Sequence, residues 1–413
     1  MITAVVTSDN HLGAYYARLR PDRLELRRRR LQAAFQQVVD AAIARRADLF
    51  LHAGDLFDRP DPRNAERVFV ARQIQRLREA EIPVFAVAGN HDSPRSLGYD
   101  GGTLPQEEME ALGAICLFRN TDRLLPETRT IRGRRVCIWG MSSDFNRPAG
   151  VCPLQDTIAE HQREGDLDFV LLHYGVEGWA QPFAAEPCLA LANLDALGAD
   201  AICVGHLHTR AETRLPGGGL LLNPGATEHI HFGEEGLTCG FWVLQGGDGE
   251  PMRAEFVPLT PQPMRTLEID LSEEPPADEA VAEDALAPPS DPWMPRLRER
   301  IAQVSHPDQL LRVRFQGRLL RSRLQSLDFA ALLEEAQAAN FYCQFDTEKL
   351  ALYDAAEGWQ IDIGFSFDVR QELQSVAASL LPFYGDNVEE QEICRRAAQE
   401  LNAAYERLTR GAR

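Results

Sequence analysis

Lysine is almost missing from this chain: Lys349 stands alone among 43 basic side chains, and the rest are arginines. That bias reads as genomic base composition rather than function. Basic charge as a whole is short. A net charge of −19 argues against a protein that coats nucleic acid by charge alone. It leaves room for a nuclease whose cations and local arginines meet the phosphate. The eight cysteines are scattered with no Cys-x-x-Cys pair, which argues against a thiolate zinc site and reads as free thiols in a reducing cytosol. No apolar run approaches a membrane span, so no membrane contact is expected. The N-terminus, Met1-Ile2-Thr3-Ala4-Val5-Val6-Thr7-Ser8-Asp9, lacks the basic region and cleavage site of a signal peptide. A cytoplasmic protein is expected.

What is present is globular. The 413 residues, 44% hydrophobic and 25% charged, predict two or three domains. The pattern is organised around Gly54-Asp55-Leu56-Phe57-Asp58, which follows the apolar run Asp48 to Ala53. A buried strand ending in Gly-Asp sets a carboxylate at the edge where open α/β sheets bind ligands. The same unit recurs along the chain. Ile2 to Ser8 leads into Asp9-Asn10-His11, Pro83 to Ala88 into Gly89-Asn90-His91-Asp92, Phe169 to Leu172 into His173, and Ala201 to Val204 into Gly205-His206-Leu207-His208. Leu220-Leu221-Leu222 leads into Asn223-Pro224-Gly225. Helical spacing over Leu31, Phe35, Val38, Val39 and Ala42, and over Val68, Ile74 and Leu77, predicts helices between the first strands. This is a βαβ series with its polar residues at one sheet edge.

Taken together, Asp9-x-His11, Gly54-Asp55, Gly89-Asn90-His91-Asp92, His173 and Gly205-His206-x-His208 resemble the calcineurin-like metallophosphoesterase superfamily. Gly54-Asp55-Leu56-Phe57, Leu171 to Gly175 and Asn223 to Glu228 resemble its SbcD-type DNA repair nucleases. The resemblance covers about residues 1–260 strongly and the remainder weakly. It implies a four-layer α/β/β/α sandwich over 1–262, a small α/β capping domain over 263–350 and a C-terminal helical segment over 351–413. It also implies a homodimer, DNA ends and single-stranded DNA as substrates, and docking of the last helices on the coiled coil of an SMC-like ATPase.

If the turns converge, Asp9, His11, Asp55 and His208 hold one divalent ion, while Asp55, Asn90, His173 and His206 hold the other. Mixed nitrogen and oxygen donors suit Mn2+, with Fe2+ or Zn2+ as alternatives. Such a pair activates a water and grips a phosphate oxygen. His91 completes no ligand set and is the candidate acid for the leaving oxygen. Related phosphatases carry Gly-Asp-x-x-Asp, which implies Asp58 as the carboxylate that orients His91, with Asp92 as a turn residue. Arg59 is a candidate phosphate contact, and Asn223 and Glu228 are expected along the substrate groove. The arginines between 18 and 30 read either as a solvated helix face paired with Asp22 and Glu25 or as a phosphate contact. Arg312, Arg314, Arg318, Arg321 and Arg323 carry the same two readings. His229 and His231 alternate as in a strand, and His52 reads as a core group. Two other functions fit the sequence: a small-substrate phosphodiesterase or phosphatase, and a DNA-end-binding scaffold without turnover.

Overall fold

A computed structural model describes residues 1–16, 19–94, 102–147, 151–155, 163–179, 186–247, 249–272, 293–353 and 396. Arg18, residues 273–292 of the expected capping domain and nearly all of the expected C-terminal helical segment lie outside the described residues.

The first half alternates strands and helices: β1 (Ile2–Thr7), α1 (Pro21–Ala44), β2 (Leu49–Ala53), α2 (Asn64–Glu79), β3 (Val84–Val87), α3 (Glu107–Ala111) and β4 (Cys116–Phe118). Then come β5 (Leu125–Ile131), β6 (Arg134–Gly140), β7 (Leu167–His173), the short pair β8 (Gly175–Val176) and β9 (Cys188–Leu189), α4 (Leu191–Ala196), β10 (Ala201–Gly205), β11 (Ala211–Arg214) and β12 (Leu220–Asn223). After β13 (Gly240–Gly247) and β14 (Glu250–Pro258) follow β15 (Met264–Asp270), α5 (Trp293–Val304), β16 (Leu310–Leu320), α6 (Arg321–Ser326), α7 (Phe329–Ala339) and β17 (Tyr342–Tyr353).

Two six-stranded sheets, ordered β14-β13-β1-β2-β3-β4 and β11-β12-β10-β7-β6-β5, carry the core. The two-residue period of a strand explains how each sheet is covered on both faces. In β1, Ile2, Ala4 and Val6 join Leu49, Leu51, Phe169 and Leu171 between the sheets, while Val5 turns outward to Phe35 and Val38 of α1. On the far face of the second sheet, Val170, Leu172 and Val204 pack with Leu194 of α4. The layers are therefore helix, sheet, sheet, helix. The strands β1 to β4 run parallel, as do β6, β7, β10 and β12, so their C-terminal ends share one edge within each sheet.

The helices follow the predicted spacing with two corrections. In α2 the buried face is Glu66, Val70, Gln73, Ile74 and Leu77, while Val68 is 49% exposed. In α1 the arginine run is not one solvated face. Arg20 and Arg29 pair with Asp22 and Glu25 at the surface, but Arg27 is fully buried. His229 and His231 form no strand; a 3-10 turn, Phe232–Glu234, follows them.

The described residues fall into two compact units. One comprises Met1–Leu267 with Ile301–Arg312 and Glu334–Gln344; the other takes Glu268–Arg300, Val313–Leu333 and the described residues from Phe345 onward. In the second unit Arg314 lies between Asp346 and Glu268, and Arg318 stacks over the Tyr353 ring.

Candidate active site

Five strands of the first unit end at the candidate ligands. The turns after β1 and β2 run side by side. The Asp9 N–H donates to Gly54 O, and the Asn10 and His11 N–H groups both donate to Asp55 O. Gly54 has φ +95 and packs against the His173 ring, where a Cβ would collide with Nδ1. Only glycine allows that approach. Gly89 is tied the same way: its N–H donates to Asp92, and the next turn brings the His91 N–H to Asp55 Oδ1 at 2.8 Å.

The seven expected ligands come together. Asp55 Oδ2 lies 3.2 Å from His173 Nε2 and 3.8 Å from His11 Nε2, between the two groups. Asn90 Oδ1 is 3.2 Å from both His173 Nε2 and His206 Nδ1. On the other side His11 Nε2 and His208 Nε2 face each other at 3.0 Å, with Asp9 Oδ1 4.0 Å from His208 Nε2. Asp9, Asp55 and His173 offer donor atoms within 4.8 Å of one another, as do Asp9, His11 and His208.

The far ring nitrogens set the tautomers. His173 Nδ1 donates to Ala53 O at 2.7 Å, His208 Nδ1 to Glu234 Oε1 at 2.6 Å, and His206 Nε2 to Glu186 Oε2 at 2.9 Å. In neutral rings this leaves Nε2 of His173 and His208, and Nδ1 of His206, bare toward the centre. Metal-binding imidazoles are held in this way, so the residues fit a pair of divalent cations. Glu234 and Glu186 were missed from sequence. Glu234 follows His231 by three residues after the Pro-Gly turn, a weak signal; Glu186 had none.

Charge follows the same geometry. Burial alone would push the Asp55 carboxyl up; His173 beside it, with His11 and His91, reverses this and holds it ionised. Burial would push His173 and His208 down. The Asp55 carboxylate lifts the first to about 9, and the hydrogen bond from His208 to Glu234, together with the charge of Asp9, lifts the second to about 9. Glu234 itself is held far below its ordinary range, its burial outweighed by hydrogen bonds from His208 and His231. Burial beside Asp55 raises Asp92 to about 7. His52 is pressed down to about 3 by burial and by His173, and its Nε2 meets Asn10 Oδ1 at 2.7 Å.

His91 stands beside this centre with its side chain 43% exposed, its ring edge-on to His11 at 4.6 Å. Its Nδ1 bonds the Asp58 carbonyl at 3.0 Å, while the Asp58 carboxylate is 3.9 Å away and 3.5 Å from His11 Nδ1. The carbonyl, not the carboxylate, is thus the direct partner. Asp92 accepts the N–H groups of Leu56, Phe57 and Gly89 and locks the turns. Arg59 is exposed next to Asp58.

Two expected groove residues lie elsewhere. Asn223 is buried; its amide donates to Leu207 O and its carbonyl accepts from Gly225 N, so it braces the turn behind His208. Glu228 is 2% exposed and pairs with the buried Arg27 at 3.1 Å. It also accepts the N–H groups of His229 and Gln262. Both carboxylate oxygens face inward.

The calcineurin-like phosphoesterase family model matches residues 2–210, and the chain belongs to that family. Among similar proteins, the DNA double-strand break repair protein Mre11 of Sulfolobus acidocaldarius is 28% identical over 214 residues, 52% of this chain and 51% of its own. Mre11 of Sulfurisphaera tokodaii is 29% identical over 214 residues, with 52% and 51% covered. An uncharacterized metallophosphoesterase, YhaO of Bacillus subtilis, is 28% identical over 225 residues, with 53% and 50% covered. The chain spans about half the length of these curated relatives. Among the described residues no helix is long and apolar enough to cross a membrane.

Proposed function

We propose that the protein is a DNA nuclease of the two-metal type, a phosphodiesterase that acts on DNA ends and single strands in repair. The observation that carries this reading is the meeting of Asp9, His11, Asp55, Asn90, His173, His206 and His208, with His91 beside them but bound to a carbonyl. When bound, two divalent cations, Mn2+ by preference, lower the pKa of a water and draw charge from the phosphate. The protein's part is positional. Asp55 spans the two groups of ligands, and Glu234 and Glu186 keep the facing nitrogens bare. With Nδ1–H donated to the Asp58 carbonyl, the doubly protonated His91 ring would give its Nε2 proton to the departing oxygen and be left as the neutral imidazole. The Mre11 relatives support DNA as the substrate.

By the same resemblance, the region after 262 caps DNA, the chain dimerises, and the segment after 350 docks on an SMC-like ATPase. Purified protein with Mn2+ should cut linear duplex, single-stranded or hairpin DNA. Hydrolysis of bis-p-nitrophenyl phosphate without cutting any DNA would replace this reading with a small-substrate phosphodiesterase. DNA binding without either reaction would leave a scaffold. Removing residues 386–413 should spare bis-p-nitrophenyl phosphate hydrolysis and abolish co-purification with a coiled-coil ATPase.

A further inference from the structure

Beside the metal-ligand cluster, within the first unit, lies a cavity of about 470 Å³. Three aromatic side chains wall it: Tyr16, Phe232 and Tyr342. Arg312 stacks over the Phe232 ring at 5.0 Å and is held in that pose by hydrogen bonds from Nε and Nη2 to Thr266 Oγ1. Gln344, whose amide oxygen accepts from the Tyr342 hydroxyl at 3.1 Å, adds polar edge. The rim residue His231 is linked to the candidate ligands through Glu234: its Nε2 is 3.0 Å from the carboxylate that holds His208. The Tyr16 hydroxyl is buried, with the Arg27 guanidinium as its neighbour. Burial pushes its pKa up to about 12, so it stays a neutral donor.

We propose that this cavity is a stacking pocket for one unpaired nucleobase of the strand whose phosphate lies at the neighbouring ligand cluster. The proposal rests on the nuclease reading above and adds how the strand is gripped. Three observations favour a base over other occupants. Flat aromatic walls with a guanidinium held face-on over a ring suit a planar ligand. Polar groups in the wall, the Tyr16 hydroxyl and the Gln344 side chain, suit the hydrogen-bonding rim of a base. The chain has 62 acidic side chains against 43 basic ones, so phosphate attraction alone is a poor source of affinity and stacking has to supply it.

The test uses full-length protein and single-stranded oligonucleotides carrying 2-aminopurine, or a tetrahydrofuran abasic residue, at successive positions. Binding is read by 2-aminopurine emission in EDTA and again with Mn2+; cleavage is read with Mn2+. The expected result is quenching at one register, lost in both Phe232→Leu and Tyr342→Leu. An abasic residue at that register should lower kcat/KM by about 5- to 100-fold, the range expected for one stacked base. Emission that does not depend on register, or quenching that survives both substitutions, overturns the pocket. So does an aromatic peptide from a partner filling the cavity while oligonucleotides leave it empty. Quenching at one register without any cleavage upholds the pocket and overturns the nuclease reading. Cleavage indifferent to the abasic position overturns the pocket and upholds the nuclease.

Discussion

Glu228→Gln tests whether this residue is a strut or a groove residue. Its carboxylate is 3.1 Å from Arg27 Nη1, and the two side chains are 3% and 0% exposed. At that distance and an effective dielectric of about 20 the attraction is about 5 kcal/mol. Desolvating both ions offsets much of it, so the intact pair adds little net stability. Breaking it is another matter. Glu228→Gln leaves a buried guanidinium with two neutral acceptors, Gln262 Oε1 and His229 O, and no counter-charge. The expected loss is about 3–5 kcal/mol. Arg27→Met leaves a carboxylate that still accepts the Gln262 and His229 N–H groups, and should lose somewhat less. The double variant should recover part of either loss, because no unpaired ion remains. At about 2–4 °C per kcal/mol for a large domain, thermal unfolding in EDTA should place Glu228→Gln about 6–20 °C below the parent. Losses that add to within about 0.5 kcal/mol would refute the coupling. An unchanged melting point with reduced turnover would return Glu228 to the substrate groove.

His91→Ala should keep its metal and lose about 10²- to 10⁴-fold on DNA. It should lose far less on bis-p-nitrophenyl phosphate, whose nitrophenolate departs without a proton; equal losses on both would assign His91 to phosphate binding instead. Glu234→Gln should weaken Mn2+ binding about 10- to 100-fold by freeing the His208 ring, readable by titration and by the Mn2+ resonance spectrum. Metal binding should release protons. His173 and His208 titrate near 9 in the metal-free fold, so Mn2+ affinity should climb by up to about tenfold per pH unit for each proton displaced, and flatten above pH 9. Without metal the same two rings make the fold less stable as pH rises: folded values above the ordinary 6.5 give stability present below pH 6.5 and lost through about 9. Melting points in EDTA that rise over that window would contradict the charge assignment.

The strand ends were legible because strands buried on both faces read as mainly apolar runs. Leu49–Ala53, Leu167–His173 and Ala201–Gly205 are buried at every position, and each stops at the polar residue that enters the site. Edge strands carry no such signal. Leu125–Ile131 is polar and half exposed along its length and could not be told from a loop. Side-chain partners across the chain were equally hidden. Arg27 lies four residues before Leu31 on the buried face of α1, but nothing local reveals its partner, Glu228, two hundred residues on. Val68 looked inward by type, yet it lies off the buried face of Glu66, Val70, Ile74 and Leu77, on which Arg63 pairs with Glu66.

One property of the site explains why its residue types are what they are. Asp9, His11, Asp55 and His206 have φ of 50, 45, 55 and 101, in the left-handed half of the map. A residue other than glycine held there costs about 1–3 kcal/mol and persists only where its surroundings insist. They do: the N–H groups of Asp9, Asn10 and His11 are bonded to the next turn, and the His206 N–H is bonded to both oxygens of Asp9. A reversed φ at a strand's end folds the chain back on itself at the sheet edge, which lets two residues of one short turn serve one centre. Asp and His are among the few side chains that tolerate this conformation, and they are also hard and borderline donors for a divalent cation. Backbone and ligand chemistry therefore select the same residues, and the hydrogen bonds of the turns hold them in place.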